Sequence, residues 1–333
     1  KTLLIRADAD SVIGTGHVMR CMALAQAWQD EGGGTVFVTT MKSESLKSRL
    51  RSESIDVRYI DEEPGSIDDA ACTAKIARNG NMEWVVTDGY RFGAEYQKTI
   101  KDAGLKLLFI DDYGHAGRYC ADVILNQNIC FREEIYADRT DSTRLLSGTG
   151  YVLLRREFRA KKRRMRKVRE KARRVLVTLG GSDPDNVTLR ILDSMEILGD
   201  PEIEVRIVAG PENSNVESLK RASSCSPCAV SILQGTDDMP GLMEWADVAV
   251  STGGSTCWEM AYMGLPFLTV VLSDNQKDIA QGLAEAEVSE NLGWFYELTG
   301  ERITERLSGI IADRGRRLKF RNNGRMLVDG KGA

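Results

Sequence analysis

Short apolar runs alternate with longer amphipathic stretches along most of the chain, joined by loops of small residues. Residues 3–7 form the first run, followed by a glycine-containing loop and a helical stretch ending near Trp28. Residues 35–40, 84–87, 107–110 and 123–125 repeat the theme. These runs are short, rich in β-branched residues and apolar at nearly every position, the pattern of strands buried on both faces of a parallel sheet. Their alternation with helices predicts βαβ units and a doubly wound α/β fold.

The second half begins the pattern again. Residues 175–179 end in Gly180-Gly181, and residues 204–209 end in Gly210. Val230 and Ile232 belong to a further short strand. Residues 248–251 run into Gly253-Gly254, and residues 267–272 follow Pro266. Two such blocks predict two Rossmann-like lobes whose parallel sheets face each other across a cleft. The first lobe covers residues 1–154 and the second residues 175–333, with the last helix a candidate to pack back on the first lobe. No repeat at fixed period relates the two. Residues 155–174 between them are dense in arginine and lysine. Such a run reads first as a solvated linker helix. The alternative is a surface for anionic lipid or nucleic acid, and no interleaved aromatic residues support nucleic acid.

Composition narrows the function classes. A chain of 333 residues is a soft prior for two domains. With 42% hydrophobic and 28% charged residues it has the mixture of an ordinary globular protein. The formal net charge of −4 does not suggest a nucleic-acid binder. No apolar run approaches the roughly 20 residues that span a bilayer, and residues 1–7 read as a strand rather than a secretory leader. Seven irregularly spaced cysteines predict reduced thiols and a cytoplasmic setting. Cys225 and Cys228 read as a loop with two thiols, because zinc would need a second pair at suitable spacing. No metal or cofactor is expected.

The first loop carries the most chemistry. It reads Arg6-Ala7-Asp8-Ala9-Asp10, then Ile13-Gly14-Thr15-Gly16-His17, then Arg20. A strand end puts Asp8 and Asp10 at the lip of the sheet, where ligands of open α/β sheets bind. Gly14 and Gly16 permit a tight turn and close approach of a substrate. His17 then falls in the first helical turn, where the positive end of the helix dipole favours the neutral imidazole that a general base needs. Arg20, three residues on, can share its face; it binds substrate, or it pairs with Asp8 or Asp10. His115, the other of two histidines, lies in a polar loop and reads as a surface or secondary-site residue. The dinucleotide fingerprint is absent, since Met19 stands where its third glycine belongs, and these loops contain no Walker lysine.

Phosphate-type signals sit in the second half. Gly180-Gly181-Ser182-Asp183-Pro184 follows a strand; its glycines expose N–H groups, Ser182 or Asp183 can cap, and Pro184 suits a first helical turn. Ser251-Thr252-Gly253-Gly254-Ser255-Thr256 opens a helix, a ready site for a diphosphate. Glu259 lies four residues past Ser255 on the same helical face, suited to ribose hydroxyls. Asp274-Asn275-Gln276 emerges after the next strand. Each glycine turn alone could serve packing; three at matching positions point to a nucleotide diphosphate.

In combination these residues resemble the PseG/SpsG family. The match lies in Arg6-Ala7-Asp8 through Gly16-His17 and Arg20, Leu179-Gly180-Gly181-Ser182-Asp183-Pro184, Gly253-Gly254-Ser255-Thr256 with Glu259, and Asp274-Asn275-Gln276. Asp88-Gly89-Tyr90, Asp111-Asp112 and Asn126-Gln127-Asn128 are similar to further family segments. The family includes the UDP-2,4-diacetamido-2,4,6-trideoxy-β-L-altropyranose hydrolase of pseudaminic acid biosynthesis and spore-coat polysaccharide factors. The resemblance implies a GT-B fold like that of MurG, the glycosyltransferase that makes lipid II, with sugar on the N-terminal lobe and UDP on the C-terminal lobe. It implies metal-free hydrolysis of a UDP-sugar at the anomeric carbon with inversion. His17 would act on water, Asp10 or Asp8 would orient it, and Tyr90 and Asn275 would position sugar and water. A GT-B glycosyltransferase using the same donor, or a non-catalytic sugar-nucleotide-binding protein, are the competing expectations.

Overall fold

The computed structural model describes residues 1–10, 14–161, 165–181, 183–210 and 213–333. Its first strand, β1 (Thr2–Ala7), shows why the apolar runs were legible. Leu3 and Ile5 point into one core and Leu4 into another, so both faces of the strand are covered. The remaining elements of this half are α1 (Gly16–Asp30), β2 (Gly34–Thr39), α2 (Glu44–Ser52), β3 (Asp56–Tyr59), α3 (Ile67–Asn79), β4 (Trp84–Asp88), α4 (Ala94–Asp102), β5 (Lys106–Ile110), β6 (Val123–Asn126) and β7 (Arg144–Ser147). They form a parallel seven-stranded sheet in the order β3-β2-β1-β4-β5-β6-β7. Strand order reverses between β1 and β4, so a crevice opens beyond their carboxyl ends. The outer strands β3 and β7 escaped the apolar-run criterion, because β3 (DVRY) has no buried residue and β7 (RLLS) is only half-buried.

A single helical turn, α5 (Arg156–Arg159), spans the boundary between two units, residues 1–156 with 330–333, and residues 157–329. The second unit contains β8 (Arg174–Thr178), α6 (Val187–Leu198), β9 (Glu204–Ala209), α7 (Val216–Ser223), β10 (Ala229–Gln234), α8 (Met239–Trp245), β11 (Val248–Thr252), α9 (Thr256–Met263), β12 (Phe267–Val271), α10 (Asp274–Glu285), β13 (Ser289–Trp294), α11 (Gly300–Ala312) and α12 (Arg314–Leu327). Its parallel sheet, β10-β9-β8-β11-β12-β13, repeats the reversal between β8 and β11. One continuous core, from Val175 and Ile207 to Leu307 and Phe320, fills it.

Within the second unit the last helix, α12, packs on α9, where Gly324 lets the two backbones approach at Ala261, and residues 330–333 beyond it group with the first unit. One expectation changes here. The basic segment is not a linker helix beyond Arg159 among the described residues, and Lys162, Arg163 and Arg164 lie outside them. It is an irregular strap whose cations find acceptors on the second unit. Lys161 pairs with Glu244 at 2.9 Å, Arg169 with Asp247 at 3.2 Å, and Lys171 with Asp200 at 2.7 Å. Arg166 donates to the carbonyls of Met243 and Ala246 at the carboxyl end of α8. Buried Arg317 donates to the strap carbonyls of Arg169 and Glu170, both at 2.8 Å. The charge run thus answers acidic groups and helix-end carbonyls, which hold cations well.

Candidate functional site

Each unit carries one cluster of polar groups at the carboxyl ends of its central strands. In the first unit α1 begins at Gly16, so His17 is its second residue and is buried. β4 ends in Asp88, in register with Ala7 of β1. This places the Asp88 carboxylate 2.7 Å from His17 Nδ1. A carboxylate only accepts, so Nδ1 is the donor of this bond and Nε2 is the ring nitrogen left facing away from Asp88.

Arg20 ties the cluster together. Its Nε donates to Asp88 Oδ2 at 2.6 Å and its Nη2 to Asp88 Oδ1 at 2.7 Å. Its Nη1 donates to Asp112 Oδ1 at 2.7 Å. Nη2 also lies 3.2 Å from His17 Nδ1, so the expected common face of positions 17 and 20 is present. Asp112 further accepts from Tyr90 Oη at 3.0 Å and Asn128 Nδ2 at 2.9 Å. Burial works to raise the Asp112 carboxyl, but the Arg20 guanidinium outweighs it and holds the group well below the usual carboxylate range. The same opposition, with Arg20 and then His17 prevailing over burial, lowers Asp88. Both acids are anionic and already committed to Arg20. Among the described residues no cluster of His, Cys, Asp and Glu side chains is arranged to hold a metal ion.

Aromatic rings close one side of His17. Tyr90 meets it edge-on at 4.7 Å between centroids and meets His115 edge-on at 5.7 Å. His115 is therefore not a surface residue: its side chain is 7% exposed and its Nδ1 lies 3.2 Å from Asp111 Oδ1. Asp111 also accepts from Tyr119 Oη.

The acids read from the first loop have other duties. Asp8 takes Arg6 Nη1 at 2.6 Å, the Thr39 hydroxyl at 2.8 Å and the Thr40 amide at 2.7 Å. Asp10 lies 3.6 Å from Arg91, and its carbonyl accepts the Gly14 amide at 2.9 Å, closing the loop. Arg20 accordingly pairs with neither, and the acid hydrogen-bonded to His17 is Asp88. Asp8 is held by the neighbouring strand β2, whereas β4 lies on the other side of β1 and delivers Asp88 under the ring. The strand-terminal position of Asp88 was the available signal. Ile13 of the loop lies outside the described residues.

The second unit assembles the phosphate-type turns. Gly180-Gly181 follows β8 and residues 253–255 follow β11, on adjacent strands at the reversal. Gly180 has φ +94°, open to glycine but costly to other residues. Gly181 packs directly on Gly210 at the end of β9. Ser182 lies outside the described residues. Asp183 is buried, and its carboxylate accepts the amides of Val187 and Thr188, both at 2.9 Å. It thereby closes the amino end of α6, which starts at Val187, three residues past Pro184. In contrast, Ser255 before α9 makes no side-chain cap, so the positive end of that helix stays available to an anion. Gly253 brings Gln276 against this turn: a Cβ there would lie 2.6 Å from the Gln276 carbonyl oxygen. The Gly253-Gly254-Ser255-Thr256 turn and the Asp274-Asn275-Gln276 helix start are thus one assembly. Gln276 Oε1 accepts the Leu272 amide at 3.1 Å, and Ser273 Oγ donates to Asn275 Oδ1 at 2.5 Å. Glu259 is buried one turn into α9.

Comparison with known proteins bears on both units. Residues 174–323 match the glycosyltransferase family 28 C-terminal domain. The chain is 26% identical over 332 residues to the spore coat polysaccharide biosynthesis protein SpsG of Bacillus subtilis, covering 98% of this chain and 94% of that one. It is 22% identical over 291 residues to the UDP-2,4-diacetamido-2,4,6-trideoxy-β-L-altropyranose hydrolase of Campylobacter jejuni, covering 85% and 96%. An uncharacterised Methanocaldococcus jannaschii protein is 24% identical over 284 residues, and the chain spans only 57% of its length while 83% of the chain is covered. Among solved structures, Acinetobacter baumannii MurG superposes with a TM-score of 0.67 at 16% identity, covering 98% of this chain and 96% of that one. The S. aureus MnaA–UDP structure superposes with a TM-score of 0.68 at 12% identity, covering 100% and 94%.

The fold is GT-B. Its two parallel-sheet α/β domains are those the apolar runs predict. The named relatives support a coarse kinship with SpsG and the hydrolase, and with proteins that act on UDP-sugars. No helix is long and apolar enough to cross a membrane among the described residues.

Proposed function

We propose that this protein is a UDP-sugar hydrolase, in which His17 deprotonates a water that attacks the anomeric carbon and UDP departs. The observation that carries this is the His17–Asp88–Arg20 arrangement. Asp88, held anionic by Arg20, fixes the Nδ1 proton and leaves Nε2 as the acceptor. In the step, the water oxygen forms a bond to the anomeric carbon while its proton passes to Nε2. The bond from that carbon to the phosphate oxygen breaks, and its electron pair leaves with UDP. Little acid help is needed, because the terminal phosphate has a second pKa of about 6. The developing charge falls to the open start of α9 at Gly254, Ser255 and Thr256, with Gly180, Gly181 and Gly253 lining the approach. Glu259 would hold ribose hydroxyls, and Asp274, Asn275 and Gln276 the polar parts of the donor. Tyr90 would position the sugar.

The name of the C. jejuni relative suggests a UDP-linked diacetamido-trideoxy-hexose as substrate, in a cytoplasmic step of nonulosonic acid or surface polysaccharide synthesis. A second reading, a glycosyltransferase using the same donor, is favoured by the family 28 domain match. Incubation of purified protein with that UDP-sugar and no acceptor separates the two. UDP and free inverted sugar, lost in His17→Ala with UDP affinity retained, support the hydrolase. UDP release that depends on an added acceptor sugar overturns it in favour of transfer.

A further inference from the structure

A groove of about 840 Å3 runs along β13, the edge strand of the second sheet, between α10, α11 and α12. None of the residues assigned above to the diphosphate lines it. Its floor is Ser289, Glu290, Asn291 and Gly293, and its walls carry Arg302, Arg306, Arg316 and Lys319.

The charges in this groove are unevenly matched. Glu290, 5% exposed, accepts a hydrogen bond from Arg306 on Oε1 at 3.1 Å, while its Oε2 lies 3.0 Å from Arg316 in an ion pair without hydrogen-bond geometry, so one carboxylate serves two guanidinium groups. Glu287 is engaged by Lys319 at 2.5 Å, and Asp313 accepts the Arg316 amide at the start of α12. Arg302 makes no side-chain hydrogen bond or ion pair among the described residues. Its Nη2 stands 3.7 Å from where a Cβ on Gly293 would be, and that glycine, at φ +90°, leaves the space above the strand open. At the other end of the floor, Ser289 is 2% exposed, and its Oγ has no hydrogen-bond partner among the described residues. Burying an unpaired hydroxyl costs about 1–3 kcal/mol, so such a group in a native fold calls for a partner.

We propose that this groove binds a small anion carrying a phosphate or diphosphate group. Arginine forks fit phosphate oxygens in pairs, and three of them stand in this groove with one buried hydroxyl. Four cations (Arg302, Arg306, Arg316 and Lys319) against three carboxylates (Glu287, Glu290 and Asp313) leave the lining with one net positive charge, and Arg302 is the cation with no ion pair among the described residues. The site is independent of the reaction proposed above, although α10 carries Asp274, Asn275 and Gln276 at one end and lines the groove with Gln281 and Ala284 towards the other.

The test is titration of inorganic pyrophosphate, at constant ionic strength, into the full chain saturated with UDP, followed by NMR. The reporters are the amides of Ser289 and Gly293 and the Arg302 side chain. Saturable shifts at all three, with affinity reduced roughly tenfold or more in Arg302→Ala and also reduced in Ser289→Ala, are expected. Arg302 is exposed, so its replacement leaves the fold intact. Non-saturating shifts, shifts confined to residues 253–256, or unchanged affinity in Arg302→Ala would each overturn the proposal. If UDP itself fails to bind, the reporters still read the groove, so the two proposals fail separately.

Discussion

His17 Nδ1 and Asp88 Oδ1 lie 2.7 Å apart although 71 positions separate them in the chain. One comes from the first turn of α1 and the other from the last residue of β4, so the pair exists only because β1 and β4 are neighbours in the sheet. If Asp88 sets the tautomer of His17, then Asp88→Asn should lower kcat by about 10²–10⁴-fold, the usual worth of a positioned general base. UDP affinity should stay within about threefold, since no residue assigned to the diphosphate changes. Single-turnover rates with UDP calorimetry would check this. A wild-type kcat in Asp88→Asn would remove the orienting role.

Arg20 holds two buried acids at once, and its loss should be felt in stability before catalysis. Arg20→Met leaves Asp88 and Asp112 without their shared counter-ion, which should cost about 3–5 kcal/mol. Urea unfolding would measure it. Adding Asp112→Asn to Arg20→Met should recover part of the loss by removing one uncompensated charge, and a further drop would contradict that account.

The pH dependence of stability should have two limbs of opposite sign. Asp88, Asp111 and Asp112 are lowered in the fold, so they bind fewer protons there than in the unfolded chain. Their contribution is complete above the ordinary carboxylate range of about 4 and is lost as pH falls through the folded values. His115 runs the other way. Burial works to lower it, but the hydrogen bond and charge of Asp111 prevail and raise it. Its contribution is complete below about pH 6.5 and is lost as pH rises through its folded value. Urea midpoints measured across pH should therefore show a decline above about pH 6.5 that is reduced in His115→Gln. An identical slope in wild type and variant would contradict it.

Gly253 is where two turns of the second unit touch. A Cβ at Gly253 would press on the Gln276 backbone, so Gly253→Ala must push the start of α10 away from the start of α9. UDP affinity should fall by roughly tenfold or more, while thermal stability falls by only about 1–3 kcal/mol, the usual cost of overpacking. Calorimetry with UDP and a melting curve would show both, and unchanged affinity would separate this turn from the nucleotide.

What the chain wrote locally could be read locally. The central strands were legible because burial on both faces makes nearly every position apolar, as in β1 and β12. β3 (DVRY) and β13 (SENLGW), each an edge strand of its sheet, were not, since polar residues interrupt their apolar positions. The glycine turns were legible because a backbone at φ +94°, as at Gly180, or a close approach, as at Gly253, leaves few other residues possible.

Partnerships across the chain belong to the tertiary structure alone. Sequence spacing put His17 and Arg20 on one helical face, a relation of three residues, but Asp8 and Asp10 were the nearest acids in the chain and neither is the one that meets them. Sheet order decides that: β2 draws off Asp8, and β4 supplies Asp88. In the same way, Asp183 closes α6 while Ser255 leaves α9 uncapped, although both loops read alike as glycine-rich turns. A helix face follows from 3.6 residues per turn and is fixed by the sequence. Which strand end lies beneath it depends on crossovers spanning dozens of residues, and only the folded sheet determines that.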